Sequence, residues 1–351
     1  MSGRYAAAEA VGRLPGLDLE RLATWLAATR PDLSAGPLTG RLIAGGRSNL
    51  TYAVSDGASQ WILRRPPLGH VLATAHDMGR EFRVMSALAD TDVPVPRTYA
   101  LCTDADILGA PFYLMENVAG TPYRTASELA ALGPTRVQAI STGMIEALAA
   151  LHSVDPAGVG LADFGRPYGF LERQVHRWKK QLDASYSREL PGAEELFTLL
   201  AVRQPEQSPD GIVHGDYRLD NVLIAADDRV VAVIDWEMAT VGDPLTDVAL
   251  LLLYQRLGSE LGITAVSDVS EAPGYLGESD MLDRYARHSG RDLAHLGFYL
   301  GLAAFKLAAI LEGIHYRYLH GQTVGSGFEA IGDAVEPLLR AGIAAVREKN
   351  L

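Results

Sequence analysis

The strongest constraint on this chain is a pair of short apolar runs, Val222-Leu223-Ile224 and Val230 to Ile234, separated by Asp227-Asp228. Brief aliphatic runs around an acidic turn predict a β-hairpin. His214-Gly215-Asp216-Tyr217-Arg218-Leu219-Asp220-Asn221 leads into it, and Asp235-Trp236-Glu237 leads out. A hairpin brings its ends together, so Asp216, Asn221 and Asp235 are expected to converge at its mouth. Asn221 and Asp235 offer two hard oxygen ligands. That suits Mg²⁺, which takes few protein ligands and completes its shell with phosphate oxygens and water. Asp216 is then left to orient an attacking hydroxyl or accept its proton. His214 reads as a buried residue whose ring braces the loop.

The chain has 351 residues, enough for two domains or one domain with two lobes. Strands are expected at Arg41–Ile43, Leu50–Val54, Trp61–Arg64, Arg97–Cys102 and Phe112–Asn117, with one helix at Gly79–Leu88 and an amphipathic helix before them. Beyond Gly120 the pattern turns helical: Leu129–Leu151, Phe170–Ser185, Glu194–Ala201 and Leu293–Tyr318, with Ser259–Ser279 as a loop. This predicts an α+β chain with an antiparallel N-terminal lobe over residues 1–118 and a mainly helical lobe over 119–351.

Lys plus Arg total 31 against 43 Asp plus Glu, a net charge of −12, which argues against nucleic acid or anionic lipid as a partner. The single cysteine, Cys102, forms no internal disulfide and fits a reducing cytoplasm. The start of the chain does not read as a secretory signal. The most apolar stretches, Val248–Tyr254 and Leu300–Leu311, fall short of the roughly 20 residues a bilayer requires. No HxH or HExxH arrangement is present, which disfavours a zinc hydrolase. The expectation is a cytoplasmic protein, monomeric or a homodimer.

The loop and hairpin resemble the catalytic loop and metal-binding Asp of the aminoglycoside phosphotransferase family, within the protein-kinase-like superfamily. The resemblance spans roughly Leu38 to Tyr254 and implies a two-lobed kinase-like fold. It implies a nucleotide-covering loop at Gly45-Gly46-Arg47-Ser48-Asn49, with Gly45, Gly46 and Ser48 over the phosphates. Arg64 stands where a phosphate-binding Lys is usual, with Glu81 as its ion-pair partner. Met115-Glu116-Asn117-Val118 matches the hinge that meets adenine, placing Glu116 and Val118 on the base. Arg218 falls where kinases carry a cation on the transferred phosphoryl group, and Asp247 resembles an acid that holds the catalytic loop. Trp61 to Pro67, Ala75-His76-Asp77, Arg80-Glu81-Phe82 and Phe305-Lys306-Leu307-Ala308 resemble the branch found fused to acyl-CoA dehydrogenase modules, which carries Arg at the Lys position.

The resemblance implies an ATP- and Mg²⁺-dependent phosphotransferase acting on a small-molecule hydroxyl, with Asp216 and Arg218 catalytic and Asn221 and Asp235 on the metal. ATP is expected between the lobes. A hydroxyacyl thioester or another metabolite alcohol ranks above an aminoglycoside. The short Asp235–Asp247 interval leaves no activation segment for docking a protein. The alternatives are a non-catalytic nucleotide-binding pseudokinase, which Arg64 favours and the intact acids oppose, and a metal-dependent hydrolase. Four further residues have plainer alternatives. Arg65 is expected to point into solvent from the far side of its strand, and Trp178 to be core. Lys306 and Glu312 interrupt a long apolar helix, and are either internal ion pairs or part of an acceptor pocket.

Overall fold

The computed structural model describes residues 14–33, 36–43, 49–68, 76–259, 267–323 and 328–348. Gly45, Gly46 and Ser48 lie outside them. The chain divides into two units. The first holds the residues up to Asp90, Pro94–Ala119 and Ile234–Glu237; the second holds Thr91–Val93, Gly120–Val233 and Met238 onward. Asp235 therefore groups with the first unit although it follows a hairpin of the second.

The first unit is built on a five-stranded antiparallel sheet. Its elements are α1 (Leu19–Thr29), β1 (Thr39–Leu42), β2 (Leu50–Ser55), β3 (Gln60–Arg65), α2 (Met78–Leu88), β4 (Thr98–Cys102), α3 (Ala105–Leu108) and β5 (Phe112–Glu116), with strand order β1-β2-β3-β5-β4. Asp18 caps α1 by accepting from Glu20 N and Arg21 N, both at 3.1 Å. The helix buries Leu22 and Leu26 against a cluster containing Tyr52, Val54, Trp61, Leu63 and Leu108. One face of the sheet is thereby covered.

That cover explains why Arg65 is not solvated, contrary to its sequence reading. It is 3% exposed, donating to Gly16 O at 2.5 Å and Leu108 O at 2.7 Å. A guanidinium enters such a place when carbonyl oxygens meet its donors. Cys102 is likewise buried, and burial raises its thiol pKa, as suits an inert packing residue.

The second unit contains α4 (Ala126–Ala130), α5 (Pro134–Ser153), α6 (Phe170–Ala184), α7 (Ala193–Val202), β6 (Gly211–Val213), β7 (Val222–Ile224), β8 (Val230–Val233), β9 (Thr240–Gly242), α8 (Leu245–Ser259), α9 (Glu278–Ser289), α10 (Leu296–Leu319) and α11 (Val335–Arg347). The expected helix over Leu129–Leu151 is broken into α4 and α5. Gly133 turns at φ 86° and Pro134 opens the new helix, where its missing N–H costs nothing. Within Ser259–Ser279 a 3-10 turn forms at Val269–Glu271, and α9 begins at Glu278.

β7 and β8 form the expected hairpin, with Val222 opposite Val233 and Asp228 at φ 68° in its turn. β6 pairs with β9. α10 runs longer than its most apolar stretch suggested, and its 24 residues are long and apolar enough to cross a membrane by length and composition. Here 78% of that apolar window is buried inside the protein, where α10 packs on α6, α7, α8 and α11. Glu312 on α10 is fully buried, meeting Arg188 Nη2 and Ser187 Oγ at 2.9 Å each, so it is an internal ion pair.

Candidate active site

In the first unit, sequence spacing fixes a cationic centre. Met78, Glu81, Val84, Met85 and Leu88 share the buried stripe of α2, so a carboxylate is carried inward with apolar neighbours. Antiparallel register sets Tyr113 opposite Arg64. Arg64 bridges two acids: its Nε lies 3.2 Å from Glu81 Oε2, and its Nη2 donates to Asp235 Oδ1. Tyr113 OH donates to Glu81 Oε2 at 2.9 Å. Asn49 Nδ2 completes the cluster, reaching Glu81 Oε1 at 3.2 Å and Glu237 Oε2 at 3.1 Å. Arg64, Glu81 and Asp235 are therefore brought together.

Burial pushes the Glu81 carboxyl up, against the pull of Arg64 and with repulsion from Asp235, to about 7. The folded state then keeps a proton that the unfolded chain, at 4.5, has released. Stability contributed by the protonated form is complete below 4.5 and is lost as pH rises towards 7. Chemical denaturation across that window should show Glu81→Gln flattening the decline by roughly 3 kcal/mol, at about 1.4 kcal/mol per pKa unit.

Glu116 ends β5, with its N–H donating to Arg97 O at 2.7 Å. Val118 follows beyond the strand, and among the described residues its N–H donates to no protein group. An unpaired backbone donor is what a hinge must offer a base edge.

In the second unit, the segment between β6 and β7 forms a loop gripped from behind. Asp247, 1% exposed on the first turn of α8, accepts from His214 N at 2.6 Å through Oδ2 and from Gly215 N at 2.8 Å through Oδ1. His152 Nε2 lies 3.3 Å from the same Oδ2, while its Nδ1 meets Tyr285 OH at 2.8 Å. Burial lowers the His152 pKa, so at neutral pH the ring is uncharged, with Nε2–H donating to Asp247 and Nδ1 accepting from tyrosine. Burial alone would raise the Asp247 carboxyl, but His152, then His214 and the loop N–H, hold it below the ordinary 3.8.

Gly215 sits at φ 86°, and a Cβ there would stand 2.8 Å from both Cβ and O of Met238. Gly215→Ala should therefore lower unfolding free energy by about 1–3 kcal/mol in urea titrations, from strain and from overlap with backbone that cannot move aside. His214 is fully buried and its Nδ1 accepts from Asp216 N at 3.2 Å, the bracing role expected of it.

Asp216 itself is held on both oxygens. Asn221 Nδ2 donates to its Oδ2 at 3.1 Å and to its backbone O at 2.9 Å, and Tyr254 OH donates to Oδ1 at 3.2 Å. Burial raises the Asp216 pKa, opposed by Arg218, Lys306 and His214. Arg218 forms a two-armed pair with Asp220, and its guanidinium lies 5.2 Å from the Tyr254 ring centroid. Arg218 is thus engaged by Asp220, and it also acts on Asp216 through charge and through Tyr254. Tyr254 and Tyr113 were missed as site residues by sequence reasoning, which left Lys306 between an internal ion pair and an acceptor pocket.

The donor chemistry of Asn221 and Asp235 decides whether they suit Mg²⁺. With Nδ2 committed to Asp216, the Asn221 amide presents its oxygen as the remaining donor. Asp235 keeps Oδ2 while Oδ1 takes Arg64, and it sits at φ 67°, a left-handed conformation costing about 1–3 kcal/mol for a non-glycine residue. Among the described residues no three His, Cys, Asp or Glu side chains cluster as a metal cage. Each residue by itself keeps an oxygen of the hard kind that Mg²⁺ takes alongside phosphate.

Comparison with known proteins bears on the whole arrangement. Residues 39–289 match the model of the APH phosphotransferase enzyme family. The chain belongs to that family. Among similar proteins, acyl-CoA dehydrogenase family member 11 of Gallus gallus is 34% identical over 320 residues, covering 89% of this chain and 41% of its own. Member 10 of Mus musculus is 37% identical over 310 residues, covering 87% and 29%. The chain thus spans well under half of these relatives. A Ralstonia eutropha crystal structure, assigned provisionally as an aminoglycoside phosphotransferase, aligns with TM-score 0.83 at 31% identity, over 95% of this chain and 99% of that one. The α+β kinase-like fold and the likeness to the dehydrogenase-associated branch both agree with the sequence reading. This family member carries Arg64, whose guanidinium is a fork where a lysine would be a point charge.

Proposed function

We propose that this family member transfers the γ-phosphoryl group of ATP, with Mg²⁺, to the hydroxyl of a small molecule. The observation carrying this reading is Asp216, a half-buried carboxylate whose two oxygens are aimed by Asn221 and Tyr254 on a loop clamped by Asp247. Asp216 aligns the acceptor hydroxyl and receives its proton late in the transfer. Arg64 binds phosphate oxygens, steered by Glu81, and the Val118 N–H and Glu116 carbonyl receive the base. Asn221 and Asp235 hold the metal, which when bound neutralises charge on the phosphates. Such catalysis is positioning plus electrostatics, so few side chains suffice.

Similarity to acyl-CoA dehydrogenase family members supports a hydroxyacyl thioester or a related metabolite alcohol as acceptor, ahead of an aminoglycoside. The test is ADP release from ATP over a Mg²⁺ titration. Wild type should turn over only with the metal, and Asp235→Asn should need at least tenfold more Mg²⁺. Tight ATP binding without turnover at any metal concentration would make the chain a nucleotide-binding pseudokinase instead.

A further inference from the structure

Lys306 stands on α10 in an otherwise apolar and buried run, where an ammonium is costly without partners. Its Nζ donates to Gly215 O at 2.5 Å, directly before Asp216, and lies 5.5 Å from the Trp178 ring centroid. Gly215 O is its only hydrogen-bond acceptor among the described residues, so two ammonium hydrogens are left over. They border an open pocket lined by Lys306, Gly215, Trp178, Arg177 and Asp247 among others.

The charge facing this pocket is positive. Arg177 from α6 adds a second cation, 5.2 Å from the Trp178 ring centroid. Asp247 from α8 contributes an acid, but its Oδ1 serves the Gly215 N–H, and its Oδ2 serves the His214 N–H and His152. Among the described residues no other part of the lining carries a carboxylate. Trp178, 3% exposed, supplies the apolar wall.

Resting on the reading of Asp216 as the phosphotransfer centre, we infer that this pocket receives the acceptor and that Lys306 is its specificity-determining residue. It selects a carboxylate, carbonyl or phosphate oxygen near the reacting hydroxyl and rejects a cation there. An ammonium whose spare donors face an acceptor pocket rewards an oxygen and repels an amine, and rejection contributes as much to specificity as attraction. The basic character also argues against polycationic acceptors for this chain.

Two alcohols of matched size and opposite charge, 3-hydroxypropionate and ethanolamine, test the inference. Ligand-observed NMR titrations of the full chain should show 3-hydroxypropionate bound at least tenfold more tightly. Lys306→Met and Lys306→Gln should abolish that preference, the latter while still able to donate to Gly215 O, and Lys306→Arg should restore it. Equal affinities, no binding of either alcohol to wild type, or a preference that survives in Lys306→Gln would overturn the proposal. The underlying reading is judged separately by ADP release from MgATP in Asp216→Asn. Unchanged turnover there would remove the phosphotransfer assignment, whatever the charge preference of the pocket.

Discussion

Asp216→Asn should lower kcat for ADP release from MgATP by about 10³-fold, within the range for removal of a general base, and leave KM for ATP within a factor of two. The asparagine has the same shape and still offers an oxygen to Tyr254 OH, now 3.2 Å from Oδ1. It cannot accept a second proton, and its amide hydrogens oppose those of Asn221 Nδ2, now 3.1 Å from Oδ2. Stability should fall by only about 1 kcal/mol, because burial already disfavours the wild-type carboxylate, as its raised pKa indicates. Initial-rate kinetics beside a denaturation curve separate the two effects. A variant that loses stability and activity together in proportion would make Asp216 a structural residue.

The second large effect falls on stability. Asp247→Ala should destabilise the fold by about 3–5 kcal/mol in denaturant titrations, the cost of leaving buried partners unpaired. Three donors lose their acceptor at once: the N–H groups of His214 and Gly215 and the Nε2–H of His152. None can turn to water, since His152 and His214 are essentially unexposed. The pH dependence has a definite sign. The folded carboxyl lies below 3.8, so its contribution is complete above that value and is lost as pH falls through the folded pKa. The acid-side slope of wild-type stability should therefore weaken in Asp247→Ala. Activity should fall as well, because the clamped segment carries Asp216.

Much of this site could be read from the sequence because it is local. A hairpin of three and four residues fixes where Asn221 and Asp235 leave it, whatever surrounds it, and the observed register opposes Val222 to Val233. The Arg64–Glu81 pair came from the family resemblance, and the structure carries one partner inward on β3 and the other on α2. Residues whose role depends on distant packing were not. Arg65 appeared solvated because nothing in β3 reveals that α1 covers its face. Tyr254 and Trp178 look like core aromatics at helical spacing, and only the packing of α8 beside the loop sets the tyrosine hydroxyl on Asp216. Lys306 showed only as a charge interrupting an apolar run; its acceptor lies 91 positions away. The break between α4 and α5 was signalled by Gly133-Pro134, and the apolar periodicity on both sides concealed it.

Phosphorus NMR of ATP and Mg²⁺ incubated with the protein and a panel of hydroxyacyl-CoAs, hydroxy acids and sugars tests the central claim most directly. The account predicts loss of the γ-phosphate resonance and growth of a phosphomonoester signal with at least one acceptor, both absent in Asp216→Asn and in EDTA. An intact ATP spectrum with every acceptor, or the same spectrum from wild type and Asp216→Asn, would contradict it.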